Sequence, residues 1–394
     1  MALLLPDLSH SRPQSESEYP MFRDVSDTHW AETPIATLPV VTKRIGLSGN
    51  GERLVTLSEK SDLISEELRD RNQAEKVFAI QLWDARTGEL IAEKVPDEAG
   101  WFSAIAISED GQQIAAIFTA LPDYEVELLV WDLDAVTLGA ASLRQPLGTL
   151  SPQQAQPPDQ LIDAFTMTQV AFRPGNNDIL TQVDLGEDNI NSNNTESSLR
   201  LHDNVTGEIL CTLTPSSGAM LTQFAFSPDG TLLAGRGTAP DEMTNSSSSL
   251  VDLWQLDDGE RFATIRADSG TDFSLAGIGF TQTGAFRSLE QSYTDERLNT
   301  WNLQTNGQTN ELIEEIEELN EIDRQDSFYA FSSDGVNILV SGTVAGTRIL
   351  NTQTQKVTRL VIGATGFANS VFSQDGRYLA VATLDNVQIF SNAE

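Results

Sequence analysis

Seven times along this chain a short apolar run stops at a polar turn and restarts at once as another apolar run. The clearest copy is Phe226-Ser227-Pro228-Asp229-Gly230, and its relatives occupy 47–51, 107–111, 172–176, 280–284, 331–335 and 372–376. Their turn ends lie 41 to 65 residues apart, a spacing that suits propeller blades better than helical arrays. Each turn between two β-like runs predicts a hairpin. A second marker closes a third run in every unit: Trp83, Trp131, His202, Trp254, Trp301, Leu350 and Phe390. Short glycine turns at 87–89, 206–208, 258–260 and 306–308 follow, of the kind that joins neighbouring antiparallel strands. The pattern predicts an all-β chain, a seven-bladed β-propeller of four-stranded antiparallel blades. One collective array then replaces the two or three domains that 394 residues would otherwise suggest.

The last unit supplies strands near 368–372, 377–383 and 386–390, and no fourth strand follows. The segment Glu32-Thr33-Pro34-Ile35-Ala36-Thr37-Leu38 matches the fourth-strand pattern of Glu260-Arg261-Phe262-Ala263-Thr264-Ile265. Residues 34–41 are therefore expected to complete the last blade, so that the ring closes without end caps. This divides the chain into a lead-in, 1–33, and a propeller, 34–394.

The Ser-Pro-Asp-Gly turn, with the dipeptides Trp83-Asp84 and Trp131-Asp132, resembles the WD-repeat propeller family from about residue 35 onward. The family's Gly-His dipeptide is missing. With only His10, His29 and His202, its buried histidine network cannot recur blade by blade, so the resemblance is to a divergent member or a sister propeller. It implies a non-enzymatic platform for protein partners. The marker side chains read as core fillers between sheets, because an indole is large enough to occupy that space. A second, shorter resemblance covers 22–38: Phe22 to Ala31, with Ile35 and Leu38, is similar to the opening of an S-layer homology module, which implies an envelope anchor. The alternative is a lead-in whose Phe22 and Trp30 pack on the ring.

Insertion lengths supply the functional clue. Long connections are expected between second and third strands at 58–75, 119–125, 184–197, 236–249 and 290–296, and between blades at 151–166 and 311–327. In a meander these emerge at the same end of the blades, so one face of the disc carries the elaboration and becomes the candidate binding surface. Its acids are Glu66, Glu67, Asp70, Asp123, Glu125, Glu187, Asp188, Asp241, Glu242, Asp295 and Glu296, set against Lys60, Arg69 and Arg71. Two stretches show helical spacing: Leu63, Ile64 and Leu68 within 61–72, and Leu312, Ile316, Leu319 and Ile322 within 311–324. For the second, the alternative is that its first half is a fourth strand and the rest a connector.

Charge sharpens this picture. The 24 Lys and Arg face 58 Asp and Glu, a net charge of −34, which argues against nucleic acid or anionic lipid as partners and allows a basic one. Acidity also keeps a protein hydrated, and the five lysines suit a saline environment. The lone Cys211, in the apolar run 209–213, reads as a core residue. The first residues lack a basic region and a long apolar run, so the expectation is a cytoplasmic protein, with the cell envelope as the alternative. There is no nucleophile elbow, helical His pair or phosphate loop. No cofactor or metal is called for, although acids from several blades could hold calcium across a central channel. An alternative function is therefore a propeller hydrolase or lactonase using a divalent metal.

Overall fold

In a computed structural model the apolar runs pair as antiparallel meanders. The structure describes residues 29–59, 78–133, 138–150, 168–183, 198–241, 246–267, 274–292, 296–303, 311–317, 326–342, 346–362 and 367–393. Blade 1 runs outward from the axis as Thr42–Leu47, Arg53–Glu59, Phe78–Asp84 and Leu90–Lys94; blade 2 as Gly100–Ile107, Gln113–Ala120, Glu125–Asp132 and Leu143–Thr149. Blade 3 comprises Gln169–Phe172, Ile179–Val183, Ser198–His202 and Ile209–Leu213; blade 4 comprises Met220–Phe226, Leu232–Asp241, Ser246–Gln255 and Arg261–Arg266. Blade 5 follows with Ser274–Phe280, Phe286–Gln291, Glu296–Asn302 and Glu311–Glu317, and blade 6 with Asp326–Phe331, Asn337–Gly342, Gly346–Asn351 and Val357–Arg359. Blade 7 contributes Phe367–Phe372, Tyr378–Thr383 and Val387–Ala393. The molecule is a seven-bladed β-propeller.

The fourth strand of blade 7 comes from the other end of the chain. Ala36–Leu38 pairs antiparallel with Val387–Ala393, setting Ala36 against Ile389 and Leu38 against Val387. Pairing also extends upstream of residue 34: His29–Trp30 lies against Ala393 and Asn392 on the same strand. Trp30 is buried and meets Phe372 edge to face, with ring centroids 5.6 Å apart, while Leu38 is fully buried between blades 7 and 1. Two apolar residues of the S-layer-like stretch are thus committed to ring closure. Phe22 lies outside the described residues.

Blades stack face to face, which explains why second and third strands such as Gln113–Ala120 and Glu125–Asp132 read as largely apolar runs. A strand covered on both sides has no polar face, and Gln113–Ala120 and Ile179–Val183 are buried almost throughout. Outer strands such as Ile209–Leu213 are largely exposed. The buried apolar residues form seven clusters, one at each joint between blades. Six of the markers sit in the joint with the preceding blade: Trp83 against blade 7, Trp131 against blade 1, Trp254 against blade 3, Trp301 against blade 4, Leu350 against blade 5 and Phe390 against blade 6.

The polar edge of each marker follows a rule written on the second strand. Trp83 donates to Thr56 Oγ1 at 3.1 Å, Trp301 donates to Ser288 Oγ at 3.1 Å, and His202 Nε2 lies 3.0 Å from Thr181 Oγ1. Where the marker has no N–H, as with Leu350 and Phe390, the corresponding position is Val340 or Val381. Gly235 stands there in blade 4: a methyl would lie 2.9 Å from Trp254 Cζ3, and the indole turns instead to Thr214 O at 3.3 Å. In blade 2 the position is Ala116, and the buried Trp131 Nε1 has no hydrogen-bond partner among the described residues.

Of the two readings of 311–324, the fourth-strand one holds for its first half: residues 311–317 form the outer strand of blade 5, with Leu312 opposite Trp301 and Ile316 opposite Leu298; 318–325 lie outside the described residues. One sequence expectation is corrected. Several expected long loops are short hairpins. In blade 4 the strands remain paired out to Asp241 and Ser246, and blade 2 turns through 121–124 alone. The run 236–249 is therefore mostly paired strand rather than loop.

Candidate functional site

The disc has two unlike rims. At one, the turns between first and second strands share a common wiring. Ser227 Oγ donates to Asp229 Oδ1 at 2.6 Å and accepts from Leu232 N at 2.9 Å, while Thr231 N donates to Asp229 Oδ1 at 3.0 Å. The same set recurs at Ser48 and Asn50, Ser108 and Asp110, Ser332 and Asp334, and Ser373 and Asp375. Gly230, at φ 69°, supplies the left-handed residue that the turn needs. The turns also grip one another across joints. Arg53 donates to Gly111 O, Arg173 to Gly230 O and Arg287 to Gly335 O, each reaching from an odd-numbered blade to the next.

Turns between third and fourth strands, on the same rim, use the residue after the marker. Asp84 Oδ1 accepts from Arg86 N and Thr87 N at 2.9 and 2.8 Å, and Asp203 Oδ1 accepts from Val205 N and Thr206 N at 3.0 and 2.7 Å. Partial burial pushes the Asp84 carboxyl up, but these donors outweigh it and hold the group below the ordinary carboxylate range. Asp84, Asp203, Asp229 and the acids at equivalent turn positions therefore act as turn caps.

The opposite rim gathers the second-to-third and blade-to-blade connections. Segments 60–77, 151–167 and 184–197 join strand ends at this rim and lie outside the described residues, which places Glu66, Glu67, Asp70, Glu187 and Asp188 outside them too. Glu242 and Asp295 are likewise outside. Asp241 ends Leu232–Asp241, and Glu296 starts Glu296–Asn302. Asp123 and Glu125 are exposed on the hairpin of blade 2, which makes them the two candidates seen side by side.

Around that hairpin the structure adds residues that sequence reasoning missed. Arg144 bridges Glu98 at 2.8 Å and Glu127 at 3.4 Å, and Lys94 holds Asp97 at 2.7 Å. Burial raises the Glu127 carboxyl, the Arg144 charge opposes that, and the charges of Glu98 and Glu125 add to the rise. Five acids against two cations leave this corner net negative. Only the run Glu93-Lys94-Val95-Pro96-Asp97-Glu98 carried a local signal, and Glu127 and Arg144 sit inside strands.

Between the rims runs the central channel. The apolar residue that opens each sequence repeat, namely Leu47, Ile107, Phe172, Phe226, Phe280, Phe331 or Phe372, lines a cavity of about 460 Å³ at the end near the tight turns. Small residues before it let inner strands approach: a methyl on Gly279 would stand 2.7 Å from Phe331 Cβ.

Catalytic chemistry finds little purchase among the described residues. His202 is buried, with Nδ1 3.2 Å from Gly207 O; burial lowers its pKa more than that bond raises it, so the ring is neutral near neutrality. Burial pushes the Cys211 thiol up, and Sγ donates to Leu256 O at 3.6 Å. No three His, Cys, Asp or Glu side chains gather in a metal-binding set among the described residues, including around the channel where calcium was considered. No helix among them is long and apolar enough to cross a membrane.

No protein-family model matches the chain. No curated protein matches it either. Among solved structures 1233 chains match. One is the crystal structure of the Cps50 (Swd1) β-propeller domain from Myceliophteria thermophila, at 14% identity and a TM-score of 0.57, covering 92% of this chain and 100% of that one. At this identity the likeness shows a shared propeller fold.

Proposed function

We propose that the chain is a non-enzymatic platform for protein–protein interaction, a divergent WD-repeat-like propeller that receives partners on its loop-bearing rim. The observation that carries this reading is the asymmetry of the disc. Side chains at the tight-turn rim are spent on capping and on clasping the next blade, whereas the other rim carries the three longest connections and the exposed acids Asp123 and Glu125. A rigid ring presents such loops at fixed separations, so association loses little scaffold entropy. The excess of carboxylates favours a basic partner and hastens its encounter at low salt. A β-propeller domain among the similar solved structures agrees with the fold on which this reading rests.

The test compares affinity purifications from the native cell at low salt, using wild type and a folded variant with Asp123, Glu125, Glu187, Asp188, Asp241 and Glu242 changed to Asn or Gln. A basic protein retained by wild type and lost from the variant supports the acidic rim. Identical recoveries from both, or none, sink it.

A further inference from the structure

The outer strand of each blade is a sheet edge facing solvent, a row of unpaired backbone groups that another strand could join. Six of the seven are blunted. Leu90–Lys94 contains Glu93 and Lys94, Leu143–Thr149 contains Arg144 and Pro146, and Arg261–Arg266 has an arginine at each end. Glu311–Glu317 carries four glutamates, and Val357–Arg359 closes on an arginine. Ala36–Leu38 is three residues long and stands between Pro34 and Pro39. Blade 3 is the exception: its outer strand, Ile209-Leu210-Cys211-Thr212-Leu213, pairs only with Ser198–His202 and meets no charge or proline before Pro215.

This edge is also apolar where it meets solvent. Ile209 is 49% exposed, Leu210 51% and Val205, in the preceding turn, 74%. Leu210 is the extra residue of a bulge opposite the marker, but blades 1, 4 and 5 have the same bulge, so it does not set blade 3 apart. A bare apolar edge is a standing aggregation hazard, and recognition by strand addition is the use that proteins make of one. Charge narrows the occupant. Exposed Glu208 opens the strand, and the Asp257-Asp258-Gly259 turn of blade 4 stands beside it, so close that a methyl on Gly259 would lie 3.0 Å from Cys211 Cβ. The charges acting on Cys211, at the middle of the strand, are Asp178, Asp257 and Asp258 against Arg173 alone. A second copy of this chain would bring the same acids up against these, whereas a basic strand would be drawn in.

We propose that Ile209–Leu213 receives an extended segment of a protein partner as a fifth strand of blade 3, apolar at its centre and carrying Lys or Arg at its ends. Main-chain bonds to the open edge hold it, Ile209 and Leu210 cover its apolar side chains, and Glu208, Asp257 and Asp258 take its cations. The edge lies on the outer wall of the disc and belongs to neither rim, so it stands apart from the loop surface proposed above.

The test is fluorescence anisotropy on the full chain with the dye-labelled heptapeptide Lys-Val-Thr-Val-Thr-Val-Lys. Its controls are a form with both lysines changed to glutamate and a form with proline at the third and fourth positions, which cannot extend a ladder on either edge. Wild type should bind the basic peptide at least about tenfold more tightly than either control, and hydrogen exchange should slow at 209–213 but not at Leu90–Lys94. Leu210→Lys, which gives this edge the blunting of the others, should weaken binding at least about tenfold, and Glu208→Gln about two- to threefold. Leu90→Lys, the same change on the outer strand of blade 1, should leave binding unchanged. Thermal melting confirms that the variants fold, and Thr212→Lys, also at an exposed residue, replaces Leu210→Lys if that one does not. The proposal falls if the basic peptide does not bind, if either control binds as tightly, if Leu210→Lys has no effect or Leu90→Lys an equal one, or if exchange slows elsewhere instead. It falls too if the chain sediments as a dimer that Leu210→Lys dissociates, since a second copy would then hold the edge.

Discussion

The tight-turn rim and the loop rim are made by the same meander, yet their polar side chains do opposite work. On the first, Asp229 satisfies Ser227 and a backbone N–H within its own turn, and Arg173 fastens that turn to the neighbouring blade. On the second, Asp123 and Glu125 face solvent. A carboxylate inside a cap adds to stability, while a solvated one is free to be recruited by a partner. Acid content alone cannot tell these apart, because both rims are rich in Asp and Glu.

Five changes probe that contrast. The largest effect is expected from removing residues 1–41, which strips the one element that runs along blade 7 between the rims. Losing buried Trp30 and Leu38 should cost more than about 5 kcal/mol and leave a ring that no longer unfolds cooperatively in urea, whereas removing 1–20 should change stability by less than about 0.5 kcal/mol. Next comes Gly230→Ala. The turn holds φ at 69°, and the added methyl would lie 2.4 Å from Pro174 O, so a loss of about 2–3 kcal/mol is expected in chemical denaturation.

Acidification should act on the tight-turn rim through His202. Burial sets its folded pKa below the ordinary 6.5, so the unfolded chain binds the proton first. Stability from this group is complete above about pH 6.5 and is lost progressively as pH falls toward the folded value. Melting temperatures from pH 7.5 to 5.5 should therefore decline, and His202→Gln should flatten that window. Ala116→Ser is expected to run the other way, since a hydroxyl placed as in blades 1 and 5 gives Trp131 Nε1 an acceptor. A gain of about 0.5–1 kcal/mol in urea unfolding would support the pairing rule, and a loss would show that blade 2 is packed too tightly for it. Smallest of all, Asp123→Asn with Glu125→Gln should leave stability within about 0.5 kcal/mol; a larger loss would mean that these acids are structural after all.

Much of the fold was legible because a propeller writes its architecture locally and repeats it. The Ser-x-Asp-Gly turn, the ring-bearing marker and the fourth-strand likeness of 32–38 each sit within a few residues of sequence. The stretch 311–317 left two readings open because Leu312 and Ile316 are four apart, a separation that puts two side chains on one face of a helix and equally on one face of a strand. Only pairing with Glu296–Asn302 decides between them. The candidate site was harder to read. Arg144, Glu98 and Glu127 come from three separate segments, and the channel draws one apolar residue from every blade, so neither has a signature in any single window.

Closure by His29–Trp30 and Ala36–Leu38 also sets a clock. Their partner strand, Val387–Ala393, is translated only after blades 1–6. At about 5–20 residues per second, the segment must wait roughly 20–70 s of synthesis before its place exists. Until then Trp30 and Leu38 lack their mates, and the joint between blades 7 and 1 stands open. Six joints can in principle assemble in the order of translation. The seventh cannot, which leaves the newborn ring open to proteases and to mispairing until Val387–Ala393 has emerged.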